Sequence, residues 1–456
     1  MEQIEAILKE IDNAVWGWPL VILLLGTHLY LTLRLHFPQR FMGKAIKISL
    51  GRRREGKGDV SQFGALTTAL AATIGTGNII GVAIGVASGG PGAVFWMWIT
   101  GVFGIATKYS EALLSVKYRV RTASGTMAGG PMYVLERGMK SRWLGLAFAG
   151  ATAVTAFGIG NLVQSNAIVT TLSETYGIAP IFTGVVLGLL TAFVIIGGIR
   201  SIARVCERLV PFMAFLYVGS CFALLALNYA EIPNTIALIF TSAFSGHAVV
   251  GGFLGATVRE VVRHGISKGL FSNESGLGSA PIVAAAAQTK NPVRQALVSS
   301  SGTFWDTVVV CAITGITLVN SGAWLKGLAG PSLTQEAFSA LPAVGPTILA
   351  IGLLTFAFST ILGWSYYGEK AAEYLFGSKA VRPYRWAWVA CVVVGSQLSV
   401  PVVWTFSNIA NAFMALPNLL SLLVLSNVIV LETKKYLWEG NIDLAAEDDV
   451  DPPAKS

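Results

Sequence analysis

The sequence predicts an all-α integral membrane protein of about eleven transmembrane helices, ten of them in a five-plus-five inverted repeat that contains two broken helices. Composition is the first reason: 54% of the 456 residues are hydrophobic and 12% are charged, about half the charge of an average soluble chain, and mean hydropathy is +0.64. The second is a pair of glycine-interrupted apolar segments, Thr73-Ile74-Gly75-Thr76-Gly77-Asn78 and Phe271-Ser272-Asn273-Glu274-Ser275-Gly276-Leu277-Gly278, each inside a stretch long enough to cross a bilayer. A break facing lipid would leave N–H and C=O groups unpaired in hydrocarbon, so these breaks must face protein or a water-filled cavity. Two of them at matching places in two halves of a chain are the pattern of a secondary carrier's binding site.

Taken in order, residues 15–35 form an additional helix. They follow an acidic stretch, lack a basic leader and are too long for a signal peptide. The first five spans fall near 63–88, 92–118, 144–171, 181–199 and 209–229, and the second five near 256–286, 296–319, 346–372, 386–403 and 406–431. The breaks then occupy the first helix of each group, and the odd number five turns the second group upside down. This divides the chain into an outer N-terminus (1–14), the additional helix (15–35), a basic inner loop (36–62), the first repeat (63–229), an outer connection (230–255), the second repeat (256–431) and an inner tail (432–456).

Orientation follows from Lys and Arg. Arg40, Lys44, Lys47, Arg52, Arg53, Arg54, Lys57, Lys117, Arg119, Lys290, Arg294, Lys434 and Lys435 collect on one side, whereas on the other the connections 231–249 and 320–345 show only Lys326, with Lys9 at the terminus. The basic side is cytoplasmic. The net charge of +8 therefore reflects topology and anionic lipid and implies no nucleic-acid partner. The tail from Asp443, with Glu447, Asp448, Asp449, Asp451 and two prolines, reads as solvated. Cys206, Cys221, Cys311 and Cys391 are unpaired in spacing, and no His/Cys/Asp/Glu cluster has metal-ligand spacing, so neither a disulfide framework nor a zinc site is expected.

In the first break Gly75 and Gly77 allow backbone angles closed to other residues, while Thr76 and Asn78 can satisfy freed groups or coordinate an ion. A helix restarting near Asn78 would aim the N–H groups of Gly77, Asn78 and Ile79 at a carboxylate. Gly81 and Gly85 read instead as helix-packing glycines. In the second break Glu274 is either a cation or ammonium partner or an acceptor for freed N–H groups. Arg259, Glu260, Arg263, His264 and Lys268 read as a solvated outer vestibule. Gln164 is a candidate substrate contact or an interhelical hydrogen bond, like Asn161 and Asn166. Asp306 tunes an ion site or pairs with a neighbouring helix, and Trp364, Tyr366 and Tyr367 gate a pocket or pack in a core.

Several long strings, Gly89-Gly90-Pro91-Gly92-Ala93-Val94-Phe95-Trp96-Met97-Trp98, Ala106-Thr107-Lys108-Tyr109-Ser110-Glu111, Gly269 to Pro281 around the second break, and Gly363-Trp364-Ser365-Tyr366-Tyr367-Gly368-Glu369-Lys370, resemble the alanine or glycine:cation symporter family of prokaryotes. The resemblance covers about 15–431 and departs slightly at Gly101, where a larger residue such as alanine is expected. It implies the leucine-transporter fold and sodium-coupled symport of small neutral amino acids (alanine, glycine) by alternating access in a prokaryotic cell membrane. By that resemblance the substrate site draws on Thr73, Gly75, Thr76, Gly77, Asn78, Ile79, Gln164, Phe271, Gly276, Leu277 and Trp364, with Phe271 and Leu277 walling the side chain. A sodium site is implied at the carbonyls of Ala71, Ile74 and Phe356 with the hydroxyls of Ser359 and Thr360, and a second at Thr73, Asn78 and Ser272.

Sodium is the implied coupling ion, with no other cofactor; the implied partners are a small neutral amino acid, sodium and membrane lipid, on a monomer. Proton coupling is the alternative, and the span 209–229 offers no lysine or histidine to stand in for sodium. A channel would need a filter or a ring of charge, and an intramembrane enzyme a nucleophile–base constellation; the sequence offers neither convincingly.

Overall fold

The computed structural model describes residues 10–11, 15–51, 56–245, 257–342, 344–397 and 400–446. The expectations placed on the first nine residues, on Arg52 to Arg54, on the second half of the outer connection and on the tail beyond Ala446 lie outside them.

The additional helix is α1 (Trp18–Arg34), followed by α2 (Met42–Ser49). Ser61 then caps α3 (Gln62–Thr73) by accepting from the Gly64 N–H, and the chain turns by 52° into α4 (Gly77–Gly89). Next come α5 (Gly92–Lys117), α6 (Arg142–Tyr176), α7 (Pro180–Ile195), α8 (Gly198–Leu227) and α9 (Ile232–Ser245). A capping box of Thr257 and Glu260 starts α10 (Val258–Asn273), and after the second break a single turn, α11 (Pro281–Ala284), follows. Asn291 and Pro292 start α12 (Pro292–Asn320); α13 (Gly330–Phe338), α14 (Gly345–Phe376), α15 (Val381–Gly395), α16 (Val400–Val424) and α17 (Ser426–Trp438) complete the order.

Each expected span meets a helix or a broken pair of helices, and both breaks fall where they were expected. The helices α2, α9 and α13 lie in stretches read as loops; at 8, 14 and 9 residues they are too short to cross a bilayer. Among the described residues four helices, α6, α8, α12 and α14, are long and apolar enough to span alone, or up to seven spans if bent pairs count as one. The 26-residue α5 is about 39 Å long at 1.5 Å per residue, but it buries Lys108 and Glu111 and so reads as less apolar than it is long.

Among the described residues there are three apolar cores. One joins α3, α6, α8 and α14 through Leu70, Phe148, Tyr217, Phe356 and Trp364. A second joins α1, α5, α12 and α16 through Leu24, Tyr109, Leu297 and Leu419, and a third joins α4, α5, α12 and α13 through Val86, Met97, Leu318 and Leu333. Opposite these cores Phe193 on α7 and Phe215 on α8 are 86% and 84% exposed, a placement that lipid tolerates and water does not.

Candidate functional site

The first break begins at Ile74, whose ψ of 90° turns its carbonyl out of the α3 ladder. Asn78 then closes the gap by accepting the Gly75 N–H at 2.9 Å, while its own N–H donates to Gly75 O at 3.2 Å. This corrects one expectation: the Asn78 amide is already engaged, so it is not one of the N–H groups aimed at a carboxylate. The second break begins with Glu274 in the left-handed region at φ 54°, followed by Gly276 at 92° and Gly278 at 83°. The two breaks touch, since a Cβ on Gly77 would lie 3.2 Å from the Phe271 ring and 3.7 Å from Ser272 Cα.

Gly75 is the meeting point. A Cβ there would fall 2.5 Å from Thr360 Oγ1 and 3.6 Å from Gln164 Oε1. Gln164 is fixed through Nε2, which donates to Ile159 O at 3.1 Å, and its Oε1 is a buried acceptor without a protein partner. Thr76 Oγ1 is buried and unpartnered as well. Buried polar atoms are nearly always paired, so two orphans beside one glycine mark a place for a polar ligand. Trp364, fully buried on α14, closes the other side: its Nε1 donates to Glu274 Oε1 at 3.0 Å, and Gly160 of α6 leaves room for the indole, since a Cβ there would lie 2.2 Å from Trp364 Cβ.

Beside Gly75, Ser359 Oγ lies 3.2 Å from Ala71 O and 2.8 Å from Phe356 O, and Thr360 Oγ1 lies 3.1 Å from Ala71 O and 3.0 Å from Phe356 O. Four of the five oxygen donors expected for sodium are thus gathered in one buried cluster, with Ile74 three residues beyond Ala71. Neutral oxygens at this density suit a hard cation.

The second expected ion group gathers differently. Asn78 Nδ2 donates to Asp306 Oδ1 at 2.7 Å, and Ser272 Oγ and Thr307 Oγ1 donate to Asp306 Oδ2 at 2.9 and 2.7 Å. Asp306 therefore joins the two breaks to α12. Thr73 does not take part, because its hydroxyl donates back to Ala69 O at 3.1 Å. Gly101, the departure from the resembled pattern, has a steric reason here: a Cβ would lie 2.7 Å from the Thr307 methyl, so glycine lets α5 approach Asp306's neighbour.

Two further placements differ from expectation. Leu277 is fully buried in the core of α1, α5, α12 and α16, apart from Ile74, Ile79 and Trp364 in the core of α3, α6, α8 and α14. Glu274 is not the acceptor for freed N–H groups; it takes the side chains of Ser279 and Trp364. The freed N–H groups of Gly276 and Gly278 go to Glu111 Oε1 of α5, at 3.0 and 3.1 Å, and Asn418 of α16 donates to the same oxygen at 2.7 Å and to Gly276 O at 2.9 Å. Gly276 is thereby held from behind. Asn161 donates to Trp388 O at 2.9 Å, which is the interhelical alternative.

Comparison with known proteins agrees with this architecture. The family described as the sodium:alanine symporter family matches residues 1–448. A Haemophilus influenzae protein described as an uncharacterized transporter is 50% identical over 452 residues, 98% of this chain and 99% of its own. The sodium/alanine symporter AgcS of Methanococcus maripaludis is 48% identical over 442 residues, 94% of this chain and 97% of its own. Among solved structures, MhsT in complex with L-phenylalanine superimposes with a TM-score of 0.55 at 15% identity, covering 87% of this chain and 94% of that one, which gives the leucine-transporter fold. The chain is a multi-pass membrane transporter, not an enzyme, and belongs to the sodium:alanine symporter family.

Proposed function

We propose that this protein carries small neutral amino acids, alanine and glycine, together with sodium by alternating access between its two broken helices. One observation carries the reading: at Gly75 the first break, the Thr360 hydroxyl and the unpartnered Gln164 Oε1 lie within 3.6 Å of a single missing Cβ. The substrate ammonium satisfies Gln164 Oε1, its carboxylate lies at the resumed helix end around Gly77, and on this reading Phe271 and Trp364 wall its small side chain. Ala71, Ile74, Phe356, Ser359 and Thr360 hold one sodium. Asn78, Ser272 and Asp306 hold a second, with the carboxylate giving that site a negative charge and Thr73 dropped from the set. The name of the 48% identical AgcS, a sodium/alanine symporter, supports the same substrate and ion.

The reading includes the five-plus-five inverted repeat and its boundaries, a monomer, and a cytoplasmic C-terminus. Lys57, Lys117, Arg119, Lys290 and Lys435, separate in sequence, line one cavity, which supports the basic side being a single face, and positive charge favours the cytoplasm. The test is uptake of labelled alanine into proteoliposomes under an inward sodium gradient, with glycine, leucine and alanine methyl ester as competitors. Saturable, sodium-dependent uptake blocked by glycine is expected, with weak competition by leucine. Equal uptake with potassium would reject sodium coupling, and strong competition by the ester would reject carboxylate recognition.

A further inference from the structure

Helix α8 changes character along one exposed face. Arg200, Arg204 and Arg208 stand four residues apart near its start and line a cavity of about 470 Å³ together with Asp59, Ser61 and Glu207. Beyond Arg208 the helix runs from Leu209 to Leu227 without a charged residue. That stretch is about 28 Å long at 1.5 Å per residue, close to the roughly 30 Å hydrocarbon core of a bilayer. Phe212, Phe215 and Phe222 are exposed along it. Phe212 and Phe215, four and seven residues past Arg208, lie on the same face of the helix as that arginine. Arg208 therefore marks the depth at which acyl chains give way to headgroups.

The charges around this cavity do not cancel. Asp59 faces Arg200 and shares its charge with Arg119 and Lys370 as well, while its Oδ2 accepts the Met127 N–H at 2.7 Å. Counting Asp59 wholly against Arg200 leaves Glu207 alone against Arg204 and Arg208. Glu207 turns towards the start of α3, where its Oε1 accepts from Ser61 Oγ at 2.8 Å. Arg204 and Arg208 are exposed, and among the described residues neither makes a hydrogen bond or an ion pair. Two guanidinium groups against one carboxylate leave a surplus of one positive charge.

We propose that this cavity binds the headgroup of one anionic phospholipid, with Arg204 and Arg208 clasping its phosphodiester and its acyl chains lying along Phe212 and Phe215. A phosphodiester carries one negative charge, which matches the surplus. The planar guanidinium fork meets two phosphate oxygens at once, so two arginines one turn apart suit a single phosphate. A soluble phosphate offers the same oxygens but gains nothing from the apolar stretch beside them. A lipid uses both parts of the face, and the uncharged length of α8 places the arginines at its headgroup. The site stands whether or not the transport reading holds.

The test is native mass spectrometry of the full chain in an uncharged detergent, titrated with phosphatidylglycerol, with phosphatidylcholine of the same acyl chains, or with inorganic phosphate. The first phosphatidylglycerol should bind about tenfold or more tighter than the first phosphatidylcholine, whose headgroup has no net charge. Arg204→Gln and Arg208→Gln should each weaken it about fivefold, and the double variant about 25-fold, the pull of anionic lipid on one basic side chain at the surface taken once and twice. Lys44→Gln/Lys47→Gln, which removes two exposed cations from α2, should leave it unchanged. Equal binding of the two lipids by the parent chain overturns the proposal without any variant. So does an equal loss in the Lys44/Lys47 variant, which would mean a diffuse attraction to the whole basic face. Inorganic phosphate that displaces the first phosphatidylglycerol at similar concentration assigns the cavity to a soluble anion and overturns the lipid.

Discussion

Gly75 is glycine because Thr360 stands where its side chain would be. The 2.5 Å separation from Thr360 Oγ1 is below any real Cβ contact, so Gly75→Ala must push that hydroxyl away from Ala71 O and Phe356 O. Threonine can rotate, and the fold survives. The expected result is at least about a tenfold rise in the sodium concentration for half-maximal uptake, equivalent to about 1.4 kcal/mol, with a similar loss for alanine. A normal sodium dependence would separate Gly75 from the ion site. The converse experiment removes the hydroxyls and keeps volume: in Ser359→Ala/Thr360→Val two neutral oxygen donors vanish, each worth about 1 kcal/mol. Sodium affinity should fall about tenfold or more, while alanine binding at saturating sodium falls less. Sodium titrations of alanine uptake in the two variants measure both effects.

At the scale of elements, the second break depends on a residue from outside it. Glu111 Oε1 takes the Gly276 and Gly278 N–H groups and the Asn418 amide together, so Glu111→Ala would leave the two glycine N–H groups without an acceptor and the Asn418 amide with Gly276 O alone. At about 1–3 kcal/mol each, that variant should lose folded yield or melt far below the parent. Glu111→Gln keeps one carbonyl oxygen but loses the charge that strengthens all three bonds; it should fold, melt a few degrees lower, and transport more slowly. A Glu111→Gln protein with unchanged thermal stability and rate would show that the break holds itself. The breaks were legible in sequence because consecutive polar residues flanked by glycines inside a long apolar run are stable at membrane depth only where the helix opens towards protein or water. The pairing of Glu111 was not, since its partners lie 165 and 167 positions away and nothing local distinguishes an acid that caps a distant break from one that pairs with its own helix. Leu277 was misjudged for a related reason: between two glycines at positive φ a side chain no longer follows helical periodicity, so its face cannot be read from its neighbours. The hydroxyls of Ser359 and Thr360 were legible only through the resemblance, because adjacent hydroxyls on a helix commonly bond back to their own turn, and here they do so as well as reaching Ala71 O.

Across the whole molecule, the proposed alternating access requires the segment that leads into the first break and the segment that leaves the second to part at the basic face. On that reading the bonds between these two segments set which side is closed. Arg119, two residues past the end of α5, crosses most directly: its guanidinium ties Ala285 O and Ala287 O after the second break to Lys57 O before the first. A planar fork is suited to holding three carbonyls at once, whereas the point charge of lysine holds one. Arg119→Lys keeps the charge of the face and gives up about two bonds, about 2 kcal/mol in all, so the population open on that side should rise by more than tenfold. Val60, 7% exposed beside Ala286, reports this as Val60→Cys in a background lacking the half-buried Cys391; Cys206, Cys221 and Cys311 are buried. The rate of labelling by a membrane-impermeant maleimide applied from the basic face should increase by that factor in Arg119→Lys, and saturating sodium without substrate should reduce it if sodium favours the opposite side. Labelling that is unchanged by the substitution would mean that the backbone bonds of Asp59 and Val60 with Ala286 and Gln288 after α11 suffice to keep this face shut, and that Arg119 stabilises the fold without setting its equilibrium.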